Sequence, residues 1–249
     1  MGISLKQAFS FALQDSNWVS KILIGGFLLF FPSFVYIFPG IKRLVFDPMN
    51  YYFIALYVLV SLTVMIAVCG YFFKAVHNRI VHLKGKLPSW NHVAYYIYIG
   101  IKAYVGGFVL SLPFVLATIL LIAFSPMTLS KAIIPYILVW LIGHIIYTAL
   151  YIMLALNFAL DFRIHSFFNI KKSFNLIKHN IPCYCKLVVY CLLVALINMV
   201  VSLILVNAQI LALLLPFFSF YICLVYVDLF AQYALNCDKN VCDEEKCFA

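Results

Sequence analysis

Acid is what this sequence has least of: eight Asp and Glu residues in 249, against seventeen Lys and Arg. Charged residues of both signs make up 10% of the chain and hydrophobic ones 66%, where a soluble domain carries roughly 25% charge. That shortage excludes a water-soluble domain of this length, because a folded surface needs polar side chains to cover it. No polar segment is long enough to form a second domain; the largest run from Lys74 to His92, from Asp161 to Lys186 and from Asn236 onward. Catalytic patterns are missing too. No His-Glu-x-x-His and no Gly-x-Ser-x-Gly occurs, and no two carboxylates share a face within an apolar stretch. Metalloprotease, serine-hydrolase and paired-carboxylate chemistry are therefore not expected, and the chain reads as no enzyme. Targeting signals are equally scarce. The N-terminal segment lacks the apolar core and small-residue cleavage site of a signal peptide, and Lys6 stands where myristoylation requires Ser or Thr.

What is present is apolar sequence in lengths that match a bilayer. Six stretches read as transmembrane helices: Ile22–Phe38, Tyr51–Phe73, Ala103–Phe124, Ala132–Leu160, Leu187–Asn207 and Ile210–Leu235. The predicted fold class is an all-α integral membrane protein with one polytopic domain over residues 1–235. A disordered tail is expected over residues 236–249. With six spans, fourteen Lys and Arg residues fall on the side of the termini, and only Lys42, Arg43 and Lys131 fall opposite. The positive-inside rule then places both termini in the cytoplasm of a multi-pass cell-membrane protein. A net charge of +9 suits basic loops against an anionic inner leaflet, with no need for a nucleic-acid partner.

Amphipathic stretches precede three spans, near Leu5–Leu13, Trp90–Ile101 and Phe167–Ile177. Each has the helical spacing of a helix lying on the membrane surface. Trp18, Lys21, Trp90, Lys102 and Lys186 are placed to anchor these segments at the headgroup level.

The pattern also repeats. Lys21 to Pro32 aligns with Lys102 to Pro113 at an offset of 81, with six of twelve positions identical. Lys6-Gln-Ala-Phe9 aligns with Lys171-Lys-Ser-Phe174 at an offset of 165, and Lys21 with Lys186. Three pseudo-repeats follow (1–80, 81–163 and 164–235), each a surface helix plus a helical hairpin, whose copies satisfy one another's faces. Gly25, Gly26, Gly106 and Gly107 sit where two helices could approach closely.

Asp228 is the one carboxylate clearly inside a span. A charge there is costly unless it is paired or meets water, so it marks a candidate site. Gln232 lies one turn further on, and His144 and Asn198 are further intramembrane polar groups. Two roles stay open at this stage. Asp228 and His144 could line a proton or cation path, with helices broken at Pro32, Pro113, Pro135 and Pro216 exposing backbone to a cavity. Alternatively, the polar groups join helices together, with Asp228 paired to a basic residue near the cytoplasmic face.

Eight cysteines raise the question of a metal. Cys237, Cys242 and Cys247 are spaced by five, and Cys183 and Cys185 are the other candidates to complete a set. Structural zinc sites use tighter pairs, so no metal or cofactor is expected.

Several strings occur together in a set order: Asp15-Ser-Asn-Trp18 leading to Gly25-Gly26, then Gly70-Tyr71, then Leu87-Pro88-Ser-Trp90. Phe174-Asn-Leu-Ile-Lys-His-Asn180, Pro216-Phe-Phe-Ser-Phe-Tyr221 and Phe230-Ala-Gln232-Tyr233 follow. In this order the chain resembles a group of bacterial and archaeal polytopic membrane proteins, the domain of unknown function family 4013. The position after Trp90, often acidic in that family, is Asn91 here. The resemblance implies an architecture and a compartment, with no activity and no catalytic residues attached. The expected function is a non-enzymatic membrane scaffold or interaction subunit, with a membrane-protein partner or a second copy as its associate. The alternative is a small transporter or channel with Asp228 on the path.

Overall fold

The computed structural model describes residues 2–37, 51–82, 86–123, 150–207 and 211–246. Among them every element is helical and there is no strand. The α-helices are α1 (Leu5–Phe11), α2 (Trp18–Ile37), α3 (Tyr51–Val81), α4 (Val93–Ala123), α5 (Leu150–Asp161), α6 (Ile170–His179), α7 (Ile181–Asn207) and α8 (Leu215–Lys246). Their ends follow local chemistry. Ser4 caps α1 by accepting the Gln7 N–H on its hydroxyl at 3.4 Å. Pro182 and Pro216 occupy the second positions of α7 and α8, in the first turn where a missing N–H is harmless.

Four helices are long and apolar enough to cross a membrane: Tyr51–Val81, Trp90–Ala117, Ile181–Asn207 and Leu215–Asn236. The first expected span is represented by a shorter apolar helix, Trp18–Pro32, and only the end of the fourth, Leu150–Asp161, is described. His144 and Pro135 lie outside the described residues. α3 runs 31 residues, about 46 Å at 1.5 Å per residue, which exceeds a hydrocarbon core of about 30 Å. Its last two turns, carrying Lys74, His77 and Arg79, therefore prolong the helix where the sequence suggests a loop.

Three further expectations change. Pro32 and Pro113 lie inside α2 and α4 without ending them, so the helices are not broken there. The stretch Trp90–Ile101 is no separate surface helix; after one 3₁₀ turn it runs unbroken into α4. α1 does form; Ile3, Ala8, Phe11 and Ala12 are buried by protein, whereas Leu5 and Phe9 are half-buried and Leu13 is exposed. α8 continues past Asn236 to Lys246, into the segment expected as a disordered tail.

Contacts divide the chain into two compact units, residues 1–101 with 180–249, and residues 102–179. In the first, α1, α2, α3 and α7 all pack on α8. Phe220, Leu224, Val225, Leu229, Ala231 and Tyr233 of α8 have no exposed surface, and burial on every side makes α8 the central helix. By contrast, 56% of the α8 span is buried and only 11% of the α7 span. α2 meets α8 through Gly25 against the Phe220 ring and Gly26 against Phe217, whose Cα would be 2.8 Å from an added Cβ. Among the described glycines, the tightest sites lie between α3 and α4. A Cβ on Gly70 would strike the Tyr96 carbonyl, and one on Gly100 would strike the Ile66 carbonyl. Only glycine lets these backbones touch.

In the second unit, Phe158 of α5 stacks on Phe167 with ring centroids 4.6 Å apart. Gly106 of α4 leaves room for the same Phe167 ring. Gly107 has only ordinary contact, with Tyr151 at 3.5 Å. Asn157 donates from Nδ2 to the Ser173 hydroxyl at 2.6 Å and fastens α5 to α6.

Candidate functional site

Asp228 sits midway along α8 with no exposed surface. A carboxylate so placed must be paired, since desolvation would otherwise neutralise it. Arg79 of α3 donates from Nε to Oδ1 at 2.6 Å. Gln232, one turn along the same face of α8, donates from Nε2 to Oδ2 at 2.5 Å. Both carboxylate oxygens are thus engaged. The Gln232 amide also reads the backbone of Ser4: its Oε1 accepts the Ser4 N–H at 2.7 Å, and its Nε2 donates to the Ser4 carbonyl at 3.2 Å. The Phe11 ring of α1 lies 5.1 Å from the Arg79 guanidinium carbon, within cation–π range. Tyr221 donates to the Phe9 carbonyl at 2.6 Å. α1 is thereby bolted at both ends over a buried ion pair.

A second constellation holds the segment between α3 and α4. Asp15 accepts the Asn17 N–H at 2.8 Å on Oδ1, and Lys21 at 2.8 Å and the Leu87 N–H at 2.9 Å on Oδ2. Lys21 also donates to the Leu87 carbonyl at 2.7 Å. Tyr71 donates to the Pro88 carbonyl at 3.1 Å, Tyr96 donates to the Ser89 carbonyl, and the Trp90 indole donates to the Lys21 carbonyl at 3.2 Å. The Trp90 and Tyr71 rings lie 4.1 Å apart and 7° from parallel. So the Leu-Pro-Ser-Trp string is a clasp whose backbone is satisfied by side chains from α2, α3 and α4. Burial pushes the Asp15 carboxyl up, but the Lys21 and backbone N–H donors outweigh it and hold it below its ordinary value.

The sequence-predicted residues separate accordingly. Asp228 and Gln232 come together, while Asn198 of α7 stays apart, its Oδ1 buried without a hydrogen-bond partner. Lys21 and Trp90, expected at lipid headgroups, are engaged in the clasp. Lys102 donates to the Phe162 carbonyl at 3.3 Å. Trp18 is half-buried, and Lys186 is exposed with its amine 5.5 Å from the Tyr190 ring centre. Among the described residues no three Cys, His, Asp or Glu side chains gather as a metal site would require. Cys247 lies outside those residues, and Cys237 and Cys242 are described by backbone alone. Sequence reasoning missed Arg79, Ser4 and Asp15. The signal for Arg79 was the stretch from Tyr71 to His82, which contains no Gly or Pro to stop the helix.

No curated protein and no solved structure matches the chain. The family described as protein of unknown function (DUF4013) matches residues 53–210, well over half of the 249, so the match takes in Arg79 and the clasp string but not Asp228. On that match the chain belongs to the DUF4013 family, as its ordered motifs suggested.

Proposed function

We propose that this is a six-span membrane protein, with both termini cytoplasmic, that acts as a non-enzymatic scaffold or interaction subunit. The observation that carries the reading is the state of Asp228. The one carboxylate clearly inside a span has both oxygens engaged and no exposure, as suits a packing role. A proton or cation path needs a carboxylate that meets water. Long apolar faces support the membrane setting: Leu192, Leu203, Ile204 and Val206 of α7 and Tyr52, Leu56 and Leu59 of α3 are all exposed, more apolar surface than a soluble monomer carries. The fourteen-to-three asymmetry of Lys and Arg supports the orientation. The pseudo-repeat draws support from Lys21 and Lys102, 81 residues apart. Each donates to a main-chain carbonyl just beyond a later helix, Leu87 after α3 and Phe162 after α5. The expected associates are an anionic leaflet and a membrane-protein partner or second copy.

The test is proton and ion flux in liposomes carrying wild-type protein or Asp228→Asn, with folding checked in both. A scaffold shows no flux in either. Flux in the wild type that the substitution abolishes would overturn the reading in favour of a transporter or channel.

A further inference from the structure

Among the described helices, α6 stands out for cations without acids. Its ten residues include Lys171, Lys172 and Lys178 and no carboxylate, and none of the three lysines makes an ion pair among the described residues. The inner face is fixed by Ser173, fully buried and bonded to Asn157, with Leu176 and Ile177 half-buried beside it. The outer face also carries apolar side chains where a soluble helix would be polar: Ile170 is 54% exposed and Phe174 61%. Lys171, Phe174 and Lys178 lie within about 60° of one another around the helix, whereas Lys172 lies about 160° from Phe174. An exposed aromatic ring is thus flanked by two lysines on a single stripe.

We infer that this stripe is a docking surface for anionic phospholipid. Phe174 and Ile170 enter the boundary of the acyl chains, and Lys171 and Lys178 extend along the apolar surface to reach headgroup phosphates. Two features favour lipid over an acidic protein. Only Asn180 separates α6 from Ile181, the first residue of a candidate span, so at about 3.8 Å per residue the chain holds the end of α6 close to the start of that span. Phe174 also sits between Lys171 and Lys178 along the stripe, the order that lets a ring enter the interface while lysines on either side reach headgroups. The inference rests on the membrane reading and names its lipid partner.

The experiment is hydrogen exchange of peptides covering residues 167–180 in the full-length protein. It compares nanodiscs of phosphatidylcholine alone with discs containing phosphatidylglycerol. A lysine at an anionic surface strengthens association about fivefold, so the α6 amides should exchange on the order of twentyfold more slowly in the anionic disc. High salt and Lys171→Gln/Lys178→Gln should remove the difference, with exchange elsewhere unchanged, and Lys172→Gln should keep most of it. Equal protection in the two discs, or loss by Lys172→Gln as large as by the double variant, overturns the proposal while leaving the membrane reading intact. Failure of the folded protein to enter discs of either kind overturns both.

Discussion

The ion pair between Arg79 and Asp228 sets the largest residue-scale energies. Its side chains are 9% and 0% exposed, so removing one partner strands the other charge away from water. Arg79→Met should lower stability by about 3 kcal/mol or more, whereas Arg79→Met combined with Asp228→Leu should recover most of that loss. A double-mutant cycle on chemical unfolding in detergent measures the coupling, and additive losses would mean that the pair does not act as one unit. Asp15 predicts a pH dependence of opposite origin. Its folded value lies below the unfolded one, so its stabilising contribution is complete above the ordinary carboxylate range, about 3.9. That contribution fades as pH falls through the lowered folded value. Trp90 fluorescence, read with Trp18 and Trp140 replaced by Phe, should report opening of the clasp on acidification. Asp15→Asn should abolish that transition and cost about 2 kcal/mol at neutral pH.

Between elements, energy turns on how closely two helices can approach. Gly70 and Gly100 let α3 and α4 meet carbonyl to Cα, and backbone cannot move aside as a flexible side chain can. Gly70→Ala should therefore cost about 3 kcal/mol, read as thermal unfolding in detergent. Gly107→Ala should be close to neutral, because Tyr151 stands at ordinary contact distance. Equal effects at the two sites would mean that α3 and α4 separate easily. The same scale explains α1. Its spacing of Leu5, Phe9, Ala12 and Leu13 suits a membrane surface; protein buries the neighbouring face of Ala8, Phe11 and Ala12, while Leu5 and Phe9 are half-buried and Leu13 is exposed. An amphipathic helix reports that it needs an apolar surface, not which one.

For the whole molecule, the prediction is topology. If the basic residues set orientation, reporters fused at residues 1 and 249 should both be accessible from the cytoplasmic side. A reporter after Lys42 should be accessible only from the opposite side. Termini on opposite sides would require an odd number of spans and would sink the six-span proposal. Around the central α8, apolar faces of α3 and α7 stay exposed, and the proposed scaffold would make its contacts there.

Composition and hydropathy made the class legible: an all-helical chain whose apolar stretches at Tyr51, Leu187 and Ile210 correspond to α3, α7 and α8. Those features are local, because a helix in an apolar setting must satisfy its own backbone hydrogen bonds, and that depends on length and residue type. Asp228 and Gln232 were also legible, since one turn of helix places them on one face. Their partners were not. Arg79 lies 149 residues from Asp228 and Ser4 lies 228 from Gln232, and no local pattern encodes such a meeting. The string Leu87 to Trp90 was visible as a motif, but its purpose emerges only when Asp15, Lys21, Tyr71 and Tyr96 converge on its carbonyls and amides. The sequence by itself determined the helical class, the apolar spans and the distribution of charge, all properties of short windows. Tertiary structure alone decided which charges neutralise one another and which apolar faces stay open, because both depend on helix crossings that bring distant residues within a hydrogen bond of each other.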